Sequence, residues 1–437
     1  MFEVTWICAW NGIWRNLPKS SCRVALNNSN VQVFSMKGVY LRGRAGGAPG
    51  HSLYRELTNF PPDGYQFVTG NLDSAKRQRL IFNLDEELES IPYARSVWRE
   101  VRTLQYVAIR RAQAIRTKSN VSSDLVYASQ QLLFDKMPWV VDLEYANALV
   151  DYGDIRLCRR FVGKALNSKY CKKILPWSNW AKRTLYRSLN CGSFEEKIET
   201  VHFGISPKDF VGKKEGDRLR LLFVGSINLI NLLNLEWNYP NFEWKGGFEV
   251  VDAFLDLNKK YDGLELVIRS GVPPEIKEKC ANTPNIKIFH SPMSGQALAG
   301  LYASSDIVLF PAHLNLGMAI LEAMSYELPV IARAVYDVPE AVEDMRTGIL
   351  LSPLSKLPYY MWNGAPNHYD RDLLFRIRKY RPSLVKQIVE KTSLLIENSS
   401  LRRKLGREGR HLIEQGEFSI RNRNEKLKRI FDEAIGF

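Results

Sequence analysis

The feature that most constrains the fold of this chain is a regular alternation of strand-like and helix-like segments in its second half. Short runs rich in apolar residues predict strands at 219–224, 264–268, 286–289, 306–310 and 329–332. Segments of helical periodicity between them predict helices at 247–259, 294–303 and 318–326. Such alternation favours a doubly wound α/β domain with a parallel sheet, which binds ligands at the carboxyl ends of its strands.

The first half of the chain carries a weaker version of the same pattern. Strand-like runs at 124–129, 138–143, 174–176 and 200–203 precede a stretch rich in glycine, proline and charge at 204–216. Because 437 residues exceed the usual size of one domain, we predict two domains. The predicted division is 1–205 for the N-terminal domain, 206–415 for the C-terminal domain, and 416–437 for a C-terminal helix.

The net charge of +14 is concentrated in the first half of the chain. Residues 1–215 contain 32 Lys and Arg against 20 Asp and Glu, whereas residues 216–437 contain 29 against 27. A basic amphipathic helix predicted at 96–118 contributes to this excess. The asymmetry predicts an anionic partner for the first half, such as a phospholipid surface or a phosphorylated substrate. Nucleic acid is not expected, because no RNA-binding or recognition-helix motif is present.

The sequence also bears on where the protein works. No apolar run reaches the roughly 18–20 residues that span a bilayer, and the first residues lack the basic start of a signal peptide. The six cysteines form no C-x-x-C pair. We therefore expect a cytoplasmic protein with reduced cysteines, with a peripheral position on the inner face of the membrane as an extension of that expectation.

A lysine at the start of the helix at 247–259 is suited to bind phosphate. Its ammonium supplies a point charge, and the helix beginning behind it supplies backbone N–H donors and a positive dipole end. Two residues that end the strand at 219–224 and an arginine that ends the next strand lie at the same sheet edge. The phosphate-binding candidates are Gly225, Ser226, Lys245, Gly246 and Arg269.

A second candidate group lies on the helix at 318–326. Glu322 is a carboxylate on an otherwise apolar segment, and an ionised carboxylate accepts hydrogen bonds from two neighbouring hydroxyls, such as those of a ribose. Gly317, Met318 and Ala319 begin this helix and are predicted to contact the same ligand.

Together these motifs resemble the retaining GT-B glycosyltransferases of the large group 1 family, which is family four of the sequence classification. The resemblance is most specific at 219–351, and rests on Lys245-Gly246, Glu322-Ala323-Met324, Pro339-Glu340 and Thr347-Gly348. It implies two Rossmann-like domains that face each other across a cleft, with the helix at 416–437 crossing back to the N-terminal domain. It also implies that the second domain binds a UDP- or GDP-sugar and that the first domain binds a glycan or lipid-linked acceptor. It also implies catalytic roles for Lys245 and Glu322, and no metal or other cofactor.

Three positions depart from the family pattern. Leu314 stands where the motif has its first glutamate, Ser226 where an arginine is common, and Tyr145 where a histidine is common. We include Tyr145 and the adjacent Glu144 among the catalytic candidates, with Asp142 as a further group for acceptor hydroxyls. The predicted function is transfer of a hexosyl unit with retention. The departures leave open a catalytically impaired nucleotide-sugar-binding protein, and the basic first half leaves open a membrane- or polyanion-binding scaffold.

Overall fold

The computed structural model describes residues 22–27, 30–43, 52–69, 123–134, 136–150, 152–210, 218–225, 240–313, 317–354, 357–367 and 371–436. The predicted helix at 96–118, Ser226 and Leu314 lie outside the described residues. The strands are β1 (Cys22–Asn27), β2 (Asn30–Ser35), β3 (Lys37–Gly43), β4 (Tyr65–Thr69), β5 (Leu125–Ser129), β6 (Trp139–Leu143), β7 (Cys171–Pro176), β8 (Leu219–Val224), β9 (Leu264–Arg269), β10 (Ile286–Phe289), β11 (Ile307–Phe310), β12 (Val330–Arg333) and β13 (Ile349–Leu351).

The α-helices account for most of the remaining described residues. They are α1 (Ser52–Asn59), α2 (Arg159–Leu166), α3 (Asn179–Ser188), α4 (Pro240–Trp244), α5 (Gly247–Lys260), α6 (Pro274–Ala281), α7 (Gly295–Ala303), α8 (Met318–Ser325), α9 (Val338–Ala341), α10 (Arg371–Glu397), α11 (Ser399–Glu414) and α12 (Ile420–Ile435). Short 3₁₀ turns lie at Ala146–Val150, Ile155–Cys158 and Glu195–Lys197. Within the described ranges, no helix has both the length and the apolar character needed to cross a bilayer.

Two parallel sheets organise the chain. The N-terminal sheet has the order β4-β3-β5-β6-β7, and the C-terminal sheet has the order β10-β9-β8-β11-β12-β13. Strands β1 and β2 form a separate antiparallel pair. Strands β5, β6, β11 and β12 are buried at every position, which is typical of parallel strands covered on both faces. The two sheets confirm the predicted α/β fold class.

Helices cover both faces of the N-terminal sheet. On one face, Val162 of α2 and Leu185 of α3 pack into a core with Val141 of β6. On the other face, Leu53 of α1 and Phe431 of α12 share a core with β3 and β5. The last helix of the chain therefore packs on the N-terminal sheet, where the Tyr65 hydroxyl donates to Asp432 Oδ1 at 2.6 Å. The boundaries at 205 and 415 stay predictions.

The two sheets are joined by specific polar contacts. Glu340 in α9 accepts hydrogen bonds from the backbone amides of Asn179 (2.8 Å) and Trp180 (2.7 Å) at the start of α3. The Asn363 amide donates at 2.8 Å to Asn147 Oδ1 and to Ser188 Oγ. These bonds attach the segment 357–367 and α9 to the N-terminal domain.

The strand predicted at 200–203 is wrong. In this connection between the sheets, Ile198 and Ile205 form only isolated bridges, to Ile174 and Ser419. Its apolar residues are explained by packing instead, since the Phe203 ring packs edge-on against Phe418 at 6.1 Å. The cysteines that the structure describes, Cys158, Cys171, Cys191 and Cys280, are buried and free.

Candidate active site

The C-terminal sheet reverses its order of strand addition between β8 and β11. Strands β9 and β10 lie on one side of β8, whereas β11, β12 and β13 lie on the other. Gly225 follows β8 and Pro311 follows β11, so the loops leaving these two strands diverge. The carboxyl edge at such a switch point opens a crevice, which is the usual ligand site of a doubly wound sheet.

The turn that carries Lys245 is fitted closely to this edge. Gly246 has φ +78° and precedes α5, and a Cβ atom there would lie 2.7 Å from Pro311 Cγ. A Cβ at Gly247 would lie 2.4 Å from Phe242 of α4. Glycine is required at both positions, because a side chain would push the turn away from the sheet. The turn thus holds Lys245 at the N-terminal end of α5.

Two cations meet beside the crevice. Burial and the neighbouring Arg269 lower the pKa of the half-buried Lys245 to about 8, while Glu322 opposes the shift. The Arg269 Nη1 donates to the carbonyl oxygen of Gly225 at 3.1 Å. Desolvation and the like charge of Arg269 both disfavour the protonated form of Lys245. A bound anion would reduce the free-energy cost of keeping this lysine protonated. The structure therefore places Lys245, Arg269 and Gly225 together.

Glu322 on α8 lies in the same electrostatic environment. Burial raises the pKa of its carboxyl group, and the Tyr302 hydroxyl donates to Oε2 at 3.0 Å. This bond fixes the orientation of the carboxylate. Sequence reasoning missed Tyr302, because an aromatic residue within helix α7 gives no signal of a polar role.

The residues that begin α8 are positioned by packing. A Cβ added to Gly317 would lie 3.1 Å from the Phe310 ring, so the helix start is pressed against the end of β11. The Met318 side chain belongs to the core, and Ala319 packs against that core. The first-turn amide groups, and not these side chains, are therefore what α8 offers to a ligand.

The N-terminal domain also reaches this site. Lys208 and Arg55 lower the pKa of the Glu322 carboxyl group, whereas Glu56 raises it. Glu56 holds the interdomain connection by accepting from the Ser206 amide at 3.1 Å and from Lys208 Nζ at 3.2 Å. Nothing in the sequence indicated that α1 lies so near Glu322.

A second polar group lies at the carboxyl edge of the N-terminal sheet. The Tyr152 hydroxyl lies 2.7 Å from Glu144 Oε2 and 2.9 Å from Gln130 Oε1. Gln130 and Tyr152 have φ angles of 51° and 62°, in the left-handed region that side chains rarely adopt. Strained backbone of this kind concentrates at functional sites. The sequence pointed to Glu144 but not to Gln130 or Tyr152.

Tyr145 and Asp142 are both buried. Tyr145 is only 6% exposed, and its ring packs against Tyr152 and Trp180 with centroid distances of 5.4 and 5.8 Å. Asp142 is fully buried and accepts hydrogen bonds from the Tyr54 and Tyr127 hydroxyls and from the backbone N–H of Gln130. Asp142 therefore organises the protein interior and does not contact acceptor hydroxyls.

The C-terminal crevice thus combines cations, free helix amides and a carboxylate. Lys245 and Arg269 suit a phosphate-bearing ligand, and Glu322 suits a pair of hydroxyls. Within the ranges that the structure describes, no three His, Cys, Asp or Glu side chains are grouped as metal ligands.

This architecture, two parallel α/β domains with a site at a switch point, is the GT-B arrangement, and solved GT-B structures resemble it. HepE of Anabaena, solved with UDP-glucose, has a TM-score of 0.53 and 13% identity, covering 91% of this chain and all of HepE. A glycosyltransferase of Rickettsia africae has a TM-score of 0.50 and 15% identity, covering 92% of this chain and 99% of its own. At these identities the likeness establishes the fold.

The segment that contains the site also resembles known glycosyltransferases in sequence. Residues 218–357 match the family model of the glycosyl transferases group 1. D-inositol 3-phosphate glycosyltransferase of Mycobacteroides abscessus is 39% identical over 64 residues, 14% of each chain. Sulfoquinovosyl transferase SQD2 of Arabidopsis thaliana is 34% identical over 70 residues, 15% of this chain and 14% of its own. The match spans only about a seventh of these relatives, and confirms the group 1 resemblance for this part of the chain.

Proposed function

We propose that the protein is a retaining glycosyltransferase of family four that transfers a hexosyl unit from a UDP- or GDP-sugar to a glycan or lipid-linked acceptor. The observation that carries the proposal is the meeting of Lys245, Arg269 and Glu322 at the switch point of the C-terminal sheet. The group 1 match of residues 218–357 and the HepE likeness, with UDP-glucose bound to that protein, support it.

In the proposed reaction, Lys245, Arg269 and the α5 amide groups bind the donor diphosphate. They stabilise the negative charge that develops on it as the bond to the anomeric carbon breaks. The acceptor hydroxyl attacks from the face that the phosphate leaves, and the departing phosphate oxygen takes its proton. Glu322 binds the ribose hydroxyls. No metal ion or further cofactor is required, because the protein's own cations neutralise the leaving group.

The acceptor is proposed to lie against the N-terminal domain. Glu144, with Tyr152 and Gln130 beside it, supplies carboxylate and amide oxygens for acceptor hydroxyls. Tyr145 acts through packing, since its ring lies against the Tyr152 ring. We propose a cytoplasmic location, with the acceptor presented at the inner face of a membrane.

The test uses the purified full chain with a panel of nucleotide sugars. Binding is measured by calorimetry, and transfer or hydrolysis by mass spectrometry. Lys245→Ala and Glu322→Ala are each expected to abolish transfer without unfolding the protein, whereas Lys259→Ala, on the exposed end of α5, leaves it unchanged. Full activity of either site variant would overturn the assignment.

A nucleotide-sugar-binding protein without transfer activity is the second candidate, and Leu314 favours it. This position holds an apolar residue where the family has a glutamate that contacts the transferred sugar. That candidate predicts that one nucleotide sugar binds while every donor and acceptor pair gives no turnover. Leu314→Glu would then be the variant expected to gain activity.

A further inference from the structure

One stretch of the N-terminal domain is rich in basic residues and contains no acidic residue. From Ile155 to Phe194 the sequence contains ten Lys and Arg and no Asp or Glu: Arg156, Arg159, Arg160, Lys164, Lys169, Lys172, Lys173, Lys182, Arg183 and Arg187. This stretch alone accounts for most of the net charge of +14. The excess noted in the sequence is therefore concentrated in a short, well-folded region.

The fold brings five of these cations onto the same side of the N-terminal sheet. Helices α2 and α3 pack their apolar side chains into the same core, so both lie on the same side of the N-terminal sheet. Arg159, Arg160 and Lys164 of α2, and Arg183 and Arg187 of α3, are exposed. We call the exposed side of α2 and α3, with these five residues, the basic face.

Apolar side chains project from the same surface. Trp362 is 41% exposed, and the guanidinium carbons of Arg156 and Arg159 lie 5.4 and 4.9 Å from its ring centroid. Leu157, beside them, is 46% exposed. Exposed tryptophan and leucine side chains among cations are typical of a surface that rests in the headgroup region of a bilayer, and are not needed for binding a soluble polyanion.

The segment 357–367 connects the basic face to the cleft. A Cβ added to Gly364 would lie 2.6 Å from Arg187 Nη1, so this segment reaches α3 as well as α2. The indole of Trp180 donates to the Gly364 carbonyl at 3.1 Å, and the Trp180 ring packs on Tyr145. The basic face therefore lies directly behind the aromatic residues on the acceptor side of the cleft.

We propose that the basic face, with Leu157 and Trp362, docks the protein on an anionic phospholipid membrane. The cations attract the lipid phosphates, and the two apolar side chains enter the interface between headgroups and acyl chains. This inference rests on the proposed function for its purpose, because a docked protein would present its acceptor-side cleft to a lipid-linked acceptor. The docking itself requires no catalytic activity.

The experiment is cosedimentation of the full chain with vesicles of phosphatidylcholine alone or of equal parts phosphatidylcholine and phosphatidylglycerol. Binding to the anionic vesicles only, weakened at high salt, is expected. The triple variant Arg160→Glu, Lys164→Glu, Arg183→Glu should bind about 100-fold more weakly or worse, at about fivefold per cation near the surface. The matched control Lys386→Glu, Lys404→Glu, Arg407→Glu reverses three exposed charges of α10 and α11 and should bind like the wild type.

A second variant separates membrane docking from general polyanion binding. Leu157→Ser with Trp362→Ser keeps every cation, and should lose vesicle binding at least tenfold while leaving heparin binding unchanged. Equal losses in the two triple variants, or vesicle binding unaffected by the apolar change while heparin competes fully, would overturn the proposal.

Donor binding, followed as thermal stabilisation by UDP and by GDP in every variant, reports separately on the proposed function. The basic-face variants should keep it. Absence of stabilisation by both UDP and GDP in the wild type would overturn the transferase proposal and leave the docking result standing. Each variant's melting temperature confirms that it is folded.

Discussion

Lys245 is a charge whose burial carries an energetic cost, and replacing it by methionine tests this directly. Its pKa of about 8 lies below the ordinary 10.5, which corresponds to at most about 3 kcal/mol at 1.36 kcal/mol per pH unit. The cost is smaller to the extent that solvent reaches the ammonium group. Lys245→Met keeps the length of the side chain and removes the charge, so the variant should be more stable than the wild type at pH 7.

The stability difference between the two proteins should depend on pH. Because burial lowers the folded-state pKa of Lys245, the unfolded chain holds more protons at this group between pH 8 and 10.5. The wild type therefore gains stability across that window, and the advantage of Lys245→Met should be complete below pH 8 and vanish as the pH approaches 10.5. At pH 7 the advantage should raise the melting temperature by several degrees.

Two assays check the reasoning on the same samples. Urea unfolding at pH 7 and pH 10 measures the stability difference, and calorimetry with UDP measures binding, which should weaken by at least about 100-fold, or about 3 kcal/mol. Lys259→Met, on the exposed end of α5, is the control and should change neither by more than about 0.5 kcal/mol. A Lys245→Met protein that is no more stable at pH 7, or that binds UDP normally, would refute the account of the site.

Three further predictions follow from particular contacts. Tyr302→Phe removes the hydroxyl that orients Glu322, and should weaken nucleotide binding about tenfold. It should also lower the melting temperature by several degrees, since one hydrogen bond to a charged group contributes about 1.5–3 kcal/mol to stability. Gly246→Ala should lower the free energy of unfolding in urea by at least about 2 kcal/mol and weaken UDP binding. The control Gly64→Ala has a similar φ of +83° but no atom within 4 Å of the added Cβ, and should lower it by only about 1 kcal/mol. Burial raises the pKa of Asp142 from 3.8 to about 6. Between these pH values the folded protein binds more protons at this group than the unfolded chain, so the free energy of unfolding should fall by up to about 3 kcal/mol as the pH rises through them. Asp142→Asn should remove this loss, and an unchanged slope between pH 4 and 6 would show that the carboxylate is not the source.

The parts of the site that sequence predicted are those built from neighbours in the chain. The strand at 219–224 is found with its predicted bounds, and the helix predicted at 247–259 ends one residue later. Lys245 and Gly246 are adjacent to that helix, so their place at its start followed from local pattern. Strands buried on both faces of the sheet must be apolar along their length. The order of strands and helices could therefore be predicted from the sequence.

The fold class and the residues at the carboxyl edge of the C-terminal sheet could be predicted from the sequence, because periodicity and glycine placement act over a few residues. Which distant groups contact those residues depends on the tertiary packing. Tyr302 reaches Glu322 from the preceding helix, and α1 brings Arg55 near the same carboxylate. Trp362 lies over Arg159, some two hundred positions earlier in the chain. Such contacts depend on how the domains pack, and no local pattern encodes that packing.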